Sequence, residues 1–183
     1  LAWWYQDDGH FKQKDGIPKK IILSTDSFSL KENHFLIDFL QQKYDLRFSI
    51  DTQNRLLLYD QFQIIYFLKL IEPHIHKSMA RKTLVLSEPK KIATRSTIYL
   101  PSDISLTKPT VEINEQYKKL PKLVPLAEEP IEFFKLYFSL QKTLQPTKPY
   151  QIKINAESQK TLGQLKVQTG LNLSQLTALC FKL

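Results

Sequence analysis

Asp7 and Asp8 stand side by side and run at once into Gly9, at the end of the aromatic-rich stretch LAWWYQ. Carboxylates can hold a divalent cation, and a cation so held neutralises a phosphate and acidifies a water, which is the chemistry of phosphodiester hydrolysis. Taken alone, an acid near a helix end is more commonly structural, so the pair needs support from the rest of the chain. His10, His74 and His76 offer only an isolated imidazole and a His-x-His pair, and the single cysteine, Cys180, has no second thiol for a zinc site or a disulfide. The histidines read as surface or phosphate-contacting groups and Cys180 as a small buried hydrophobe.

The rest of the chemistry is basic. Lysine and arginine outnumber aspartate and glutamate by 26 to 18, a net charge of +8 that favours a polyanion, either nucleic acid or an anionic membrane surface. Residues 77–95 carry Lys77, Arg81, Lys82, Lys90, Lys91 and Arg95 against Glu88 alone, a run that can follow a phosphate backbone or solvate a linker. No stretch approaches the roughly 20 apolar residues of a membrane span, and LAWWY is too short for a signal-peptide core. An intracellular protein with no membrane partner is expected.

The elements that must position these groups fall into blocks. Residues 1–86 are densely periodic in apolar side chains and hold Pro18 and Pro73, whereas residues 87–149 hold Pro89, Pro101, Pro109, Pro121, Pro125, Pro130, Pro146 and Pro149. This shift predicts a compact domain over 1–86, a proline-rich extended connector with one helix over 87–149, and a small module over 150–183. In the first block, residues 1–8 suit a helix, and 11–14 and 19–27 suit two strands about Asp15-Gly16-Ile17-Pro18. Ser29 and Glu32 have capping-box spacing, and Phe35, Leu36, Phe39 and Leu40 would form the apolar face of the helix that follows. Residues 46–50 alternate as a half-buried strand, 55–59 return as its partner, and a helix over 61–72 ends at Pro73. The order helix, hairpin, helix, hairpin, helix gives an α+β unit: a four-stranded antiparallel sheet with helices on one face. Its open face would carry Arg47 and Arg55, with Lys12, Lys14 and Lys20 on the first hairpin. A solvated amphipathic sheet explains the same charges equally well.

The opening LAWWYQDDG resembles the signature helix of the LAGLIDADG homing endonucleases, in the aromatic form found in the second half of two-repeat members. KKIILSTDSFSLKENHFLIDFLQQKYDL resembles the family stretch in which T-x-S-F leads into a helix, and LKLIEPHIHKSMARKTL resembles its closing segment, so the likeness covers residues 1 to about 84. It implies the LAGLIDADG fold, with an antiparallel DNA-binding sheet, and cleavage of both strands of a long DNA site with Mg2+ or another divalent cation such as Mn2+. By position in the motif, Asp8 is the implied catalytic acid and Asp8 and Gly9 the implied metal site, with Asp7 before them and Gly9 also at the turn into the first strand. Lys82 falls where the family has the basic residue that organises water or stabilises the transition state. Ser49 and Lys77 join the basic residues above as implied DNA contacts. Asp26, after Thr25, stands where relatives often carry Gln, and Arg81 where they carry Tyr. Two signature helices make one active centre and this chain shows one. The second would come from a homodimer mate, a separate chain or a missing upstream segment, and an exposed Trp3–Trp4 pair would await that cover. A bacterial cytoplasm or an organelle, mitochondrion or chloroplast, suits such an intron- or intein-borne enzyme.

Residues 150–183 read as an alternating strand, a helix from about Ala156 stopped at Gly170, and a second helix capped by Asn172. This resembles the ribbon-helix-helix DNA-binding fold, in which two chains pair strands into a ribbon for the major groove. The resemblance implies Gln151, Lys153 and Asn155 as base-facing residues, alternating with buried Ile152 and Ile154. A helical hairpin packed on the main domain is the other reading. The sequence therefore points to a metal-dependent DNA endonuclease with an added DNA-binding tail. An RNA-splicing maturase, a non-cleaving DNA-binding regulator on the same fold, or a structural subunit of a ribonucleoprotein stand as alternatives.

Overall fold

Asp15 and Gly16 close the first hairpin with φ of 52° and 70°, the positive pair that a two-residue turn needs to match strand twist. The computed structural model describes residues 1–140 and 146–183, divided between one unit of residues 1–87 and another of residues 88–183. In the first unit the hairpin joins β1 (Gly9–Lys14) to β2 (Ile17–Leu23), with Lys14 opposite Ile17. The turn is tighter than the expected four residues, and Ile17 and Pro18 already belong to the strand. Pro18 is tolerated because β4 (Leu56–Leu58) pairs only with Ile21, Ile22 and Leu23, so no ladder donor is needed at position 18. With β3 (Ser49–Ile50) the strands form one antiparallel sheet in the order β1-β2-β4-β3.

The helices of this unit are α1 (Ala2–Asp8), α2 (Leu30–Tyr44) and α3 (Gln61–Ile71). Ser29 and Glu32 make the reciprocal cap that their spacing predicts: the Glu32 N–H donates to Ser29 Oγ and the Ser29 N–H donates to Glu32 Oε2. The inward face of α2 differs from the expectation. Phe35 and Phe39 are exposed, and the buried line is Asn33 and Leu40 with Leu36 and Ile37 half-buried. The polar Asn33 occupies a core position because its amide ties loops together there, which no apolar periodicity reveals. On α3, Phe62 to Leu68 are all buried, and Ile21, Leu23, Leu56 and Leu58 meet them from one face of the sheet. Burying each such aliphatic side chain stabilises by about 1.5–3 kcal/mol. The Phe67 ring meets Tyr5 edge-on at 5.3 Å and Phe48 at 6.1 Å, which anchors α1 to this core.

The second unit does not contain an extended connector. Residues 95–140 fold into β5 (Arg95–Pro101), α4 (Pro109–Gln116), α5 (Leu120–Glu128) and α6 (Pro130–Leu140). Pro109, Pro121 and Pro130 sit in first turns, where the missing N–H costs nothing, while Pro125 lies inside α5 and Pro101 and Pro149 in strands, so the prolines here belong to folded elements rather than a linker. After the undescribed residues 141–145 come β6 (Thr147–Lys153), α7 (Ala156–Thr169) and α8 (Leu173–Lys182). Gly170 ends α7 at φ 75°, and Asn172 with Gln175 caps α8. The ribbon-helix-helix expectation is not supported. β6 pairs along its whole length with β5 of the same chain, from Arg95 opposite Lys153 to Pro101 opposite Thr147, so its pairing edge is not free for a mate. Ile98, Leu100, Ile152, Leu162, Leu176 and Cys180 build the core.

Candidate active site and nucleic-acid interface

α1 buries Ala2, Tyr5 and Gln6 and leaves Trp3, Asp7 and Asp8 exposed. Its buried polar atoms hold the segment that brings Lys82. Tyr5 donates its hydroxyl to the Lys82 carbonyl at 2.7 Å. Gln6 Nε2 donates to the His74 carbonyl at 3.2 Å, while Gln6 Oε1 accepts from the His76 N–H at 2.6 Å. Lys82 Nζ then donates to the carbonyls of Gln6 and Tyr5, at 2.6 and 3.2 Å, and lies 5.6 Å from the Tyr5 ring centre. These are carbonyls of the last helical turn, the negative end of the helix, which attracts a cation; the Tyr5 carbonyl also accepts from the Gly9 N–H. Partial desolvation, then the charge of Arg81, pulls the Lys82 ammonium below the usual lysine range, against Asp7 and Asp8, which hold it up. Burial pushes the Tyr5 phenol well above its usual value.

Asp7 and Asp8 lie at the negative end of α1, where a carboxylate is disfavoured by the helix dipole unless a cation offsets it. Asp8 opens on a cleft of about 500 Å³ whose walls include Trp4, Ser24, Asp26, Phe28 and Leu36. Asp26 reaches this cleft from a loop that is fixed from below. The buried Thr25 hydroxyl donates to the Asn54 carbonyl at 2.8 Å, and Asn33 Nδ2 donates to the same carbonyl at 3.1 Å and to that of Thr25 at 3.4 Å. Asn54 in turn donates to the Phe28 carbonyl. Thr25 is thus a buried support, and Asp26 is the residue on the cleft.

The donors fit a hard dication in part. Carboxylate oxygens beside open solvent suit Mg2+ or Mn2+, which keep several waters, and Asp8 and Asp26 border one cleft. No group of three His, Cys, Asp or Glu side chains suited to a metal occurs among the described residues, so an ion held here would need ligands beyond these. Gly9 contributes no side chain. Its φ of −85° is one any residue adopts; glycine is needed because a Cβ would overlap the Tyr5 ring and carbonyl.

The sheet brings several of the predicted basic residues together. His10, Lys12 and Lys14 share one face of β1 by the two-residue repeat and are exposed. Lys20 stands directly opposite Lys12 and lies 5.8 Å from the exposed Tyr59 ring. Facing lysines repel unless an anion lies across them. Ser49 and Arg47 are exposed toward the β3 edge. Arg55 differs: its Nε and Nη2 both donate to Asp51 Oδ2, at 3.0 and 2.7 Å, so it braces the β3–β4 turn instead of presenting a free cation. That pairing holds the Asp51 carboxyl below its usual range. Lys77 and Arg81 are exposed on the turn of 3-10 helix Lys77–Lys82.

In the second unit Gln151 and Lys153 are exposed on β6, and Ile152 and Ile154 are buried. Asn155 is the N-cap position of α7, its side chain makes no cap bond, and its N–H donates to Asn114 at 3.0 Å. Sequence reasoning missed Tyr5, Gln6, Asn33 and Asn54, whose roles are to position Lys82 and Asp26. A buried-pattern helix position filled by Asn or Gln, as at Gln6 and Asn33, was the available signal.

Residues 1–69 match the sequence model of the LAGLIDADG DNA endonuclease family. The chain is 37% identical over 92 residues to an uncharacterized protein of Methanocaldococcus jannaschii, a match that covers 48% of this chain and 35% of that protein. The chain thus spans about a third of that relative's length. No solved structure matches it.

Proposed function

We propose that residues 1–87 form one half of a homing-endonuclease-type site that hydrolyses phosphodiester bonds of double-stranded DNA. The observation that carries this reading is Lys82 held at the end of the helix that closes in Asp7 and Asp8, both of whose charges act on its ammonium. A carboxylate stands where the dipole disfavours it, beside an ammonium clamped by the Gln6 and Tyr5 carbonyls. The family match over residues 1–69 supports it. A divalent cation such as Mg2+, held by Asp8 and an acid from the second repeat, supplies charge neutralisation and an acidified water.

The chain's own residues do the rest. Lys12, Lys14, Lys20, Arg47 and Ser49 bind the duplex backbone on the open sheet face, which steers the scissile phosphate toward the end of α1. Lys82 holds positive charge beside the reacting phosphate in a partly desolvated place, where it counts for more than in water. The second repeat covers Trp3, which is 79% exposed. Its source is a copy of this chain, a separate chain or an upstream segment, and the working compartment is intracellular.

The test is cleavage of a randomised duplex library by the chain in magnesium beside Asp8→Asn. Recovery of one long cut site, lost in the variant, supports the nuclease. Equal enrichment of uncut DNA or RNA by both proteins sinks it and leaves a regulator or a splicing maturase.

A further inference from the structure

We infer that the outward face of the β5–β6 ribbon is a second duplex-DNA contact that enters the major groove, complete within one chain. It rests on the reading above only in taking duplex DNA as the polyanion. The two-residue repeat sorts the ribbon cleanly. Ile98, Leu100 and Ile152 point into the core, while Arg95, Thr97, Tyr99, Gln151 and Lys153 are exposed. The register sets Arg95 directly opposite Lys153 and Thr97 opposite Gln151. A cross-strand pair of like charges is destabilising by itself, and an anion laid across the pair removes that cost.

The surroundings deepen the positive field. A cleft of about 490 Å³ bordered by Arg95, Thr97, Thr110, Gln151 and Lys153 has no acid in its lining. A neighbouring one of about 660 Å³ shares Lys153 and adds Lys90, Lys91 and Lys160, again without an acid. Each edge of the ribbon is engaged at one position. On β5 the Tyr99 N–H donates to Ser174 Oγ at 2.9 Å. On β6 the Lys153 N–H donates to Thr110 Oγ1 at 3.4 Å, and Asn114 donates to the Lys153 carbonyl at 2.8 Å. These contacts interrupt each edge for an added strand, while the outward face carries the facing cations.

Shape and chemistry then select the occupant. Two strands roughly 4.8 Å apart, with their side chains, fill a groove about 12 Å wide. Arginine matches the guanine edge and glutamine the adenine edge, while Lys153 and the lysines of the neighbouring cleft suit flanking phosphates. Arg95 and Thr97 of β5 stand beside Lys153 and Gln151 of β6 on this face.

The experiment uses the full chain, a mixed-sequence 60-base-pair duplex and a salt series read by fluorescence anisotropy. Lys153→Ala lowers the slope of log affinity against log salt by about 1, whereas Lys153→Arg keeps it. Dimethyl sulfate protection of guanine N7, present with the parent chain, is lost with Arg95→Ala. Circular dichroism establishes that each variant is folded. An unchanged slope in the Lys153→Ala variant, while the parent chain binds duplex, overturns the ribbon and leaves the nuclease reading intact. Ribbon-dependent binding without magnesium-dependent cleavage keeps the ribbon and sinks the nuclease. A matched single-stranded RNA or phosphatidylserine vesicles bound in place of duplex, or no binding at all, overturns the ribbon.

Discussion

Both units present an antiparallel sheet with facing cations, Lys12 against Lys20 in one and Arg95 against Lys153 in the other, yet they differ in what stands beside those cations. In the first unit Asp8 and Asp26 border one cleft, and Lys82, within the field of Asp7 and Asp8, is held by the carbonyls of the same helix end. In the second the clefts along the ribbon hold no acid. A surface that only binds a polyanion gains from excluding carboxylates. A surface that must also hold a cation against the phosphate keeps them, at some expense in affinity. On the proposed reading, this difference separates a reacting surface from a binding one within one chain.

The sharpest way to break this contrast is Asp8→Asn. Cleavage is expected to fall by about 10³-fold or more, as loss of a metal-holding acid does, with duplex affinity within about twofold of the parent; a variant that still cuts ends the contrast. Lys82→Met is expected to lower single-turnover cleavage by about 10²-fold, and Lys82→Arg to restore part of it. Neither change should touch the salt slope assigned to the ribbon.

Glycine replacement compares the two units by stability. Gly9→Ala forces a methyl into the Tyr5 ring and carbonyl and is expected to destabilise the first unit by about 2 kcal/mol or more. Gly170→Ala strains a left-handed C-cap and should cost the second unit about 1 kcal/mol. Urea unfolding followed by tryptophan fluorescence, from Trp3 and Trp4, reports the first, and native-state hydrogen exchange of the α7 and α8 amides reports the second; a reversed order of effects contradicts the close-approach account of Gly9.

Alkali gives a smaller and graded effect. Burial pushes the Cys180 thiol from 9.0 up to about 12, and burial likewise raises the Tyr117 phenol from 10.0 to about 12, although its bond with Thr177 opposes that. Above about pH 9 the unfolded chain releases protons that the folded unit keeps, so stability falls as pH rises toward 12. Tyr5 acts in the same direction in the first unit, so Cys180→Ala isolates the second. Its urea midpoint is expected to change less between pH 8.5 and 10.5 than that of the parent. The smallest difference is reserved for Arg55→Ala, whose salt slope should match the parent because Arg55 is already spent on Asp51, while Lys12→Ala lowers it by about 1.

Particular residues show where legibility in the sequence stopped. The Asp15-Gly16 turn, the Ser29–Glu32 cap, the Gly170 stop and the Asn172 cap were all readable, because each is settled by groups within four residues. Phe35 and Phe39 read as core and lie in solvent, since helical spacing cannot say which of two apolar stripes meets the sheet. Prolines in first helical turns read as a linker for the same reason: the local rule permits both.

By itself the sequence determined the local elements, the motif that ends in Asp8, and the excess of positive charge, because these depend on neighbouring residues or on sums over the chain. Tertiary structure alone decided that Lys82 closes on the carbonyls of Tyr5 and Gln6 across 77 and 76 residues, and that Arg55 serves Asp51. It also decided that β6 finds β5 in its own chain, Arg95 opposite Lys153, and not the strand of a second copy. Such pairings are selected by the burial and register of whole surfaces at once, and that energy is written in no short stretch of sequence.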